Sequence, residues 1–423
     1  MTSWLLLALS LVGLALTANA YQPPQWGFTS PLAFFPGWLV SELPVHTIVG
    51  QAVVTAVLVP LGALDHAAGW VGLALCIVSW LGLGGLVVQA GRAGGVLEAA
   101  LDDGLGPAWR EQRDRRLSSA GARVIDRAQL VVPFVMRDRR VEKLRNVDYW
   151  GDGRRAHRLD IYRPREDCRD APVLVYIHGG GWVIGDKREQ GLPMMLYLAA
   201  QGWVCVTINY RLSPRATWPD HLVDCKRAVA WVRENIAGYG GNPGFVAVSG
   251  GSAGGHLAAM VGLTPGLDRF QPDFEGRDTS VDACIPFYGI YDFTGTGTLR
   301  DWGFAWFIGR TVLKKKMRDH PEAFRDASPM AHIGPGAPPF MVVHGANDSL
   351  APVAQARGFV AGLRDVCKQP VVYAELPGAQ HAFEVFRSIR TAHAVAAVTD
   401  FLAWVRATRA DQERPAESRA GTG

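Results

Sequence analysis

Seven short apolar runs between residues 157 and 376, separated by stretches with helical spacing, constrain this chain more than any other feature. They are His157–Tyr162, Val173–His178, Trp203–Tyr210, Phe245–Ser249, Ala283–Gly289, Phe340–His344 and Val371–Leu376. Between them lie amphipathic stretches such as Asp220–Ala237 and Ala351–Leu363. Strands alternating with helices predict an α/β architecture, a mostly parallel sheet with helices on both faces.

The first ninety residues follow another pattern. Trp4–Ala20 carries no charge. Ala18-Asn19-Ala20 resembles a small-residue cleavage site, but no Lys or Arg precedes the apolar core, so a retained transmembrane helix is favoured over a signal peptide. A second span is expected at Val45–Leu64, interrupted by Pro60, and a third at Gly69–Ala90, which is free of charge. Each has about the 20 residues that cross a bilayer. Asp65-His66 marks the turn of a helical hairpin. The loop Tyr21–Pro44 lacks Lys and Arg, whereas Arg92, Arg110, Arg113, Arg115 and Arg116 follow the third span. That asymmetry predicts a multi-pass cell-membrane protein with its C-terminal portion in the cytoplasm. If the first span is cleaved instead, the hairpin tends to return that portion to the outside. The expected division is a membrane region at 1–92, an Arg-rich connector or cap segment at 93–144, the α/β domain at 145–408 and a disordered tail at 409–423.

Charge excludes one class of partner. The formal net charge is +4, and no basic run is interleaved with aromatics as a nucleic-acid groove requires, so no nucleic acid is expected. The six cysteines are scattered without a CxxC pair or a Cys/His cluster. They read as buried or unpaired thiols, not as a zinc site.

The chemistry sits at strand ends. Gly250-Gly251-Ser252-Ala253-Gly254 follows the run Phe245–Ser249 and precedes a helix-compatible stretch, Gly255–Leu263. This is the context of a nucleophile elbow, in which a serine stands on a strained strand-to-helix turn and flanking side chains would clash. The strand Val173–Ile177 runs into His178-Gly179-Gly180-Gly181-Trp182. Its glycines let backbone N–H groups approach a developing oxyanion, with Gly180, Gly181 and Ala253 as candidate donors. They lack the spacing of a dinucleotide or phosphate loop. A serine needs a base. Asp348 and His381 each stand just beyond a strand, in the chain order Ser, acid, His. Asp292 and Glu384 are rival acids. His178 and His256 are expected to hold loops, His344 to be packed at a strand end, and Asp186 and Asp224 to be structural.

HGGGW at 178–182 and GGSAGGH at 250–256 resemble the hormone-sensitive-lipase-like branch of the α/β-hydrolases, as does Asn209-Tyr210-Arg211-Leu212-Ser213-Pro214. The chain is similar to the membrane-associated Lip-type carboxylesterases of actinobacteria. It also resembles the isoprenylcysteine methylesterases, which join membrane spans to such a domain. The resemblance covers about 145–408 well and the N-terminal spans in general character. It implies an α/β-hydrolase fold preceded by N-terminal transmembrane helices. It also implies a triad of Ser252, Asp348 and His381, and an oxyanion hole at Gly180, Gly181 and Ala253.

The expected activity is hydrolysis of carboxylic, lipophilic esters through an acyl-enzyme, with no metal or organic cofactor. The partners are a small ester or lipid substrate and membrane lipid. Segment 291–336, rich in aromatics (Phe293, Trp302, Phe304, Trp306, Phe307), is expected to wall the pocket. An amidase, formamidase or acyltransferase would use the same triad, and a catalytically silent binding module could share the fold. Because every candidate catalytic group lies between His178 and His381, a chain beginning near residue 93 is expected to keep activity on small esters.

Overall fold

The computed structural model describes residues 1–24, 29–113, 126–166, 168–295 and 302–413. Four helices come first: α1 (Thr2–Tyr21), α2 (Thr29–Glu42), α3 (Pro44–Leu58) and α4 (Ala67–Leu105). α3 runs on through a wider turn, Val59–Ala63, where Pro60 removes a backbone donor and Gly62, at φ +81°, reverses the chain. Thr2–Tyr21, Pro44–Ala63 and Ala67–Leu105 are each long and apolar enough to cross a membrane.

α1 lies along α4 because small residues let the two backbones meet. A Cβ added to Gly72 would come within 2.9 Å of the Leu7 nitrogen, and the Thr17 and Ser79 hydroxyls are 2.9 Å apart. α4 has 39 residues, so it is about 58 Å long at a rise of about 1.5 Å per residue. That is roughly twice the ~30 Å hydrocarbon core of a bilayer. It passes residue 92 without a break, and its second half buries Ala93, Leu97 and Leu101 in one apolar cluster with Val372 and Val398. Residues 93–105 of the expected connector are therefore helix packed on the sheet. The loop expected at Tyr21–Pro44 contains α2.

Two short helices, α5 (Trp109–Gln112) and α6 (Arg127–Val131), lead to an eight-stranded sheet. Its strands are β1 (Val141–Asp148), β2 (Arg158–Pro164), β3 (Ala171–Ile177), β4 (Val204–Ile208), β5 (Gly241–Gly251), β6 (Ala283–Phe287), β7 (Phe340–Gly345) and β8 (Val371–Leu376). The order is β1-β2-β4-β3-β5-β6-β7-β8. β2 pairs antiparallel with both neighbours, and the pairs from β4 to β8 are parallel. All seven expected runs are strands. β1, the remaining strand, lies at the edge.

The remaining helices are α7 (Leu192–Ala200), α8 (Asp220–Asn235), α9 (Ala253–Leu263), α10 (Trp302–Phe307), α11 (Pro321–Asp326), α12 (Ala354–Val366) and α13 (Ile389–Glu413). β3 shows how they clothe the sheet. Val173, Val175 and Ile177 face a core shared with α8, α9 and α12, whereas Leu174 and Tyr176 face one shared with α4, α7 and α13. A strand buried on both faces must be apolar throughout, which is why these runs do not alternate. The first residues of the expected tail, 409–413, belong to α13, and those from 414 onward lie outside the described residues.

Candidate active site

The sharpest backbone feature is at Ser252, which joins β5 to α9 with φ +58° and ψ −122°. A non-glycine residue there costs about 1–3 kcal/mol unless its surroundings enforce it. Here they do. The Ser252 N–H donates to the Phe287 carbonyl (3.0 Å), and the Ser252 carbonyl accepts from the His256 N–H (2.9 Å) in the first turn of α9. The turn is too tight for side chains beside it. A Cβ on Gly254 would sit 2.0 Å from the Ile177 carbonyl oxygen, and one on Gly250 would sit 2.5 Å from that of Gly254.

The glycine turn after β3 abuts this elbow. A Cβ on Gly179 would lie 3.1 Å from Ser252 Cβ. Gly180 and Gly181 have φ of +110° and +60°, conformations that glycine adopts without strain. Several groups fix the turn. The Gly179 N–H donates to Gln190 Oε1 (2.7 Å), and the Tyr210 hydroxyl donates to the His178 carbonyl (2.9 Å). Trp182 Nε1 donates to His256 Nδ1 (3.3 Å), so His256 Nε2 carries the proton it gives to the Ala327 carbonyl (2.8 Å). Burial holds His178 at about 4 and His256 at about 3, so both stay neutral props of the two glycine motifs. Phe307 flanks Gly181, 3.7 Å from where its Cβ would be, and Phe293 packs between Trp182 and His256. Part of the aromatic segment 291–336 thus borders the site; residues 296–301 lie outside the described ones.

His381 and Asp348 meet across the ends of β7 and β8. His381 Nδ1 is 2.7 Å from Asp348 Oδ2, while Asp348 Oδ1 accepts from the Leu350 and Ala351 N–H groups at 2.9 and 2.7 Å. Burial alone would raise the Asp348 carboxyl. The charge of His381 and hydrogen bonds from His344 and His381 outweigh it and hold the group well below the usual carboxylate range. Gln380 ties the loops together, its Oε1 accepting from both the Ser349 and His381 N–H groups at 2.8 Å. His344 does more than pack: its Nε2 lies 2.8 Å from the Ala351 carbonyl and 3.3 Å from Asp348. Tyr288 connects this pair to the elbow, because its ring lies 4.5 Å from that of His381 and its hydroxyl fills the space beside Gly251.

The rival acids are engaged elsewhere. Asp292 Oδ1 accepts from the Thr294 N–H and hydroxyl. Glu384 is buried beneath the site and accepts from the Tyr176 and Tyr288 hydroxyls; burial raises its carboxyl despite those bonds. Asp186 and Asp224 pair with Arg155 and with His157 and Arg211.

Sequence reasoning missed the N-terminal contribution. Phe34 of α2 meets the His381 ring edge-on (centroids 5.9 Å, 76°), and Trp38 Nε1 donates to the Ala382 carbonyl (2.8 Å). Asn347, beside Asp348, donates to the Ala20 and Tyr21 carbonyls that end α1. An aromatic-rich segment without Lys or Arg gives no signal that it will seat on loops more than three hundred residues away.

Known proteins resemble this chain. The BD-FAE family matches residues 159–363. A probable carboxylic ester hydrolase of Mycobacterium tuberculosis, LipM, is 46% identical over 95% of this chain and 94% of its own. Esterase LipQ of the same organism is 39% identical over 89% and 85%. Among solved structures, the butyrate-bound esterase Est2 of Thermogutta terrifontis superposes with a TM-score of 0.50 and 26% identity, covering 63% of this chain and 93% of that one. Identity at this level along almost the full length of both chains places the protein in the Lip-type carboxylic ester hydrolase family of the α/β-hydrolases.

Proposed function

We propose that this protein is a membrane-held serine carboxylesterase that cleaves lipophilic esters through an acyl-enzyme. The observation that carries this reading is the convergence of a left-handed Ser252, the His178–Trp182 turn and the Asp348–His381 pair at the C-terminal edge of one parallel sheet. His381 gives its Nδ1 proton to the bond with Asp348, which leaves Nε2 as the base. Ser252 Oγ attacks the ester carbonyl as its proton passes to Nε2. The N–H groups of Gly180, Gly181 and Ala253 receive the oxyanion, aided by the N-terminus of α9. Collapse expels the alcohol, which takes the proton from His381 and leaves the acyl group on Ser252. Water then repeats the sequence and regenerates the hydroxyl.

The apolar helices support a lipid environment, and the packing of α1 on α4 supports its retention as a third span. Arg92, Arg110 and Arg113 follow the spans, which favours the cytoplasmic face for the sheet domain. Replacement of Ser252 by alanine should abolish labelling by a fluorophosphonate probe together with nearly all hydrolysis of p-nitrophenyl esters. Undiminished labelling of Ser252→Ala would overturn the assignment. A series of p-nitrophenyl esters of graded chain length, run beside an anilide, tests the substrate class; faster turnover of the anilide would place the chemistry with amides.

A further inference from the structure

We infer that α2 is part of the ester site: Trp38 positions the His381 loop, and Phe34 forms the apolar wall that receives the alcohol portion of the substrate. This rests on the serine esterase reading above and adds to it a role for a helix that lies between two membrane-spanning candidates.

Three contacts make the case, each to a different part of the loop after β8. The first is the Trp38 indole bond to the Ala382 carbonyl at 2.8 Å. Ala382 immediately follows His381 and has φ +60°, so an unfavourable backbone conformation beside the proposed base is held by a donor from α2. The second is Phe34, buried to 8% exposure, whose ring packs parallel to Trp38 (5.7 Å, 11°) and edge-on to His381. The third lies one turn further along. Glu42 accepts from Arg390 Nη1 and Ser388 Oγ, both at 2.8 Å, with the ion pair wholly excluded from solvent. Arg390 also donates to the Ser41 and Pro377 carbonyls. The chain after His381 is therefore clamped to α2, and Arg390 bridges Ser41 of that helix to Pro377, ahead of His381. Gly37 allows the approach: a Cβ there would fall 2.8 Å from Asn19 Nδ2 and 3.7 Å from Gln380 Nε2.

The direction of proton transfer gives Phe34 its role. His381 must deliver its proton to the departing alkoxide, so the alcohol portion of the ester stands next to the imidazole in the acylation step. A ring in edge contact with that imidazole borders the same space. The outer side of α2 continues the apolar character, with Leu32 and Phe35 exposed at 79% and 62%. Phe386 joins this region to Phe134 by packing against both Trp38 and Phe134. An alkyl alcohol chain thus meets apolar surface from His381 outward.

The test uses the full chain in phospholipid vesicles and follows hydrolysis of methyl and octyl butanoate by pH-stat. Trp38→Phe keeps an aromatic ring but removes the donor to Ala382. It is expected to lower kcat for both esters about tenfold, with KM little changed and the acidic limb of the kcat pH profile displaced, as befits a base held less well. Phe34→Ala is expected to reduce the preference for octyl over methyl butanoate about tenfold, the scale on which a few methylenes lose their contacts. Circular dichroism and fluorophosphonate labelling establish that each variant is folded. If Trp38→Phe keeps kcat and pH profile within twofold of the parent, and Phe34→Ala keeps the ester preference, α2 is only a structural support and the inference falls. Ser252→Ala separates this from failure of the underlying reading: an active Ser252→Ala protein removes the serine esterase itself, whereas an inactive one beside unaltered α2 variants removes only the inference.

Discussion

At the scale of single residues, the proposed mechanism turns on the carboxylate beside His381, because that carboxylate sets the tautomer of the imidazole. Asp348 accepts the Nδ1 proton and is kept ionised by two histidines, while Asp292 is taken up by Thr294. Asp348→Asn would favour the wrong tautomer and should lower kcat by roughly 10⁴, as the corresponding change does in serine-protease triads. Asp292→Asn should leave kcat within a few-fold, and steady-state rates on a p-nitrophenyl ester distinguish the two. A reversed result would move the role to Asp292. Three other histidines set a pH limit. Burial lowers His178 and His221 to about 4 and His256 to about 3, below the ordinary ~6.5 of an unfolded chain. Between those values the unfolded state binds protons that the folded state refuses. Their contribution to stability is therefore complete above about pH 6.5 and is lost as pH drops toward 4, by about 1.4 kcal/mol per pH unit for each histidine. Denaturant unfolding at pH 7 and pH 5 measures this, and equal midpoints would refute it.

At the scale of elements, what could be read from the sequence depended on whether an element's reason for existing was local. The inner runs, at β3 to β7, were legible because a strand covered on both faces must be apolar throughout. β1 was not, since Val141–Asp148 lies at the sheet edge and mixes Glu142, Lys143 and Arg145 with its apolar positions. α2 was hidden for another reason. Pro36 and Gly37 interrupt its middle, and both disfavour a helix interior. Its conformation is sustained instead by partners distant in sequence, Ala382 for Trp38 and Arg390 for Glu42. The continuation of α4 past residue 92 was masked by Gly91, Gly94 and Gly95, which resemble a stop signal. Gly94 serves a close approach, because a Cβ there would fall 2.8 Å from the His393 ring. Within the site, the Ser252 elbow and the glycine turn were legible because their backbone geometry dictates residue type at fixed offsets. Gln380 bridging Ser349 to His381, and His344 resting on Asp348, were not, since side-chain partners across two loops leave no spacing to read.

At the scale of the molecule, the question is whether anchor and enzyme are separable. The sequence suggested that they are, because the triad candidates all follow His178. The folded chain argues against it at two places. α4 carries apolar residues from the membrane candidate directly into the core beneath β8, and α2 closes on the His381 loop. In the whole protein, the three apolar helices should keep the chain in the membrane fraction through carbonate washing, which strips proteins held by electrostatic and interfacial contacts. A chain beginning near residue 93 would lose Glu42 and leave the buried Arg390 guanidinium without that carboxylate, a change that costs ~3–5 kcal/mol when one partner of a buried pair is removed. It would also uncover Phe386 and the underside of the His381 loop. With a typical domain stability of about 5–15 kcal/mol, that loss is a large fraction of the total. The shortened chain should therefore melt well below the parent and hydrolyse p-nitrophenyl acetate at a small fraction of its rate, even where it stays soluble. Thermal melts in the same detergent, with active-site titration by a fluorophosphonate, measure both. A shortened chain with the parent's melting temperature and full turnover per titrated serine would show that the membrane helices only tether the enzyme, and that the clamp on Arg390 contributes nothing that the sheet domain lacks.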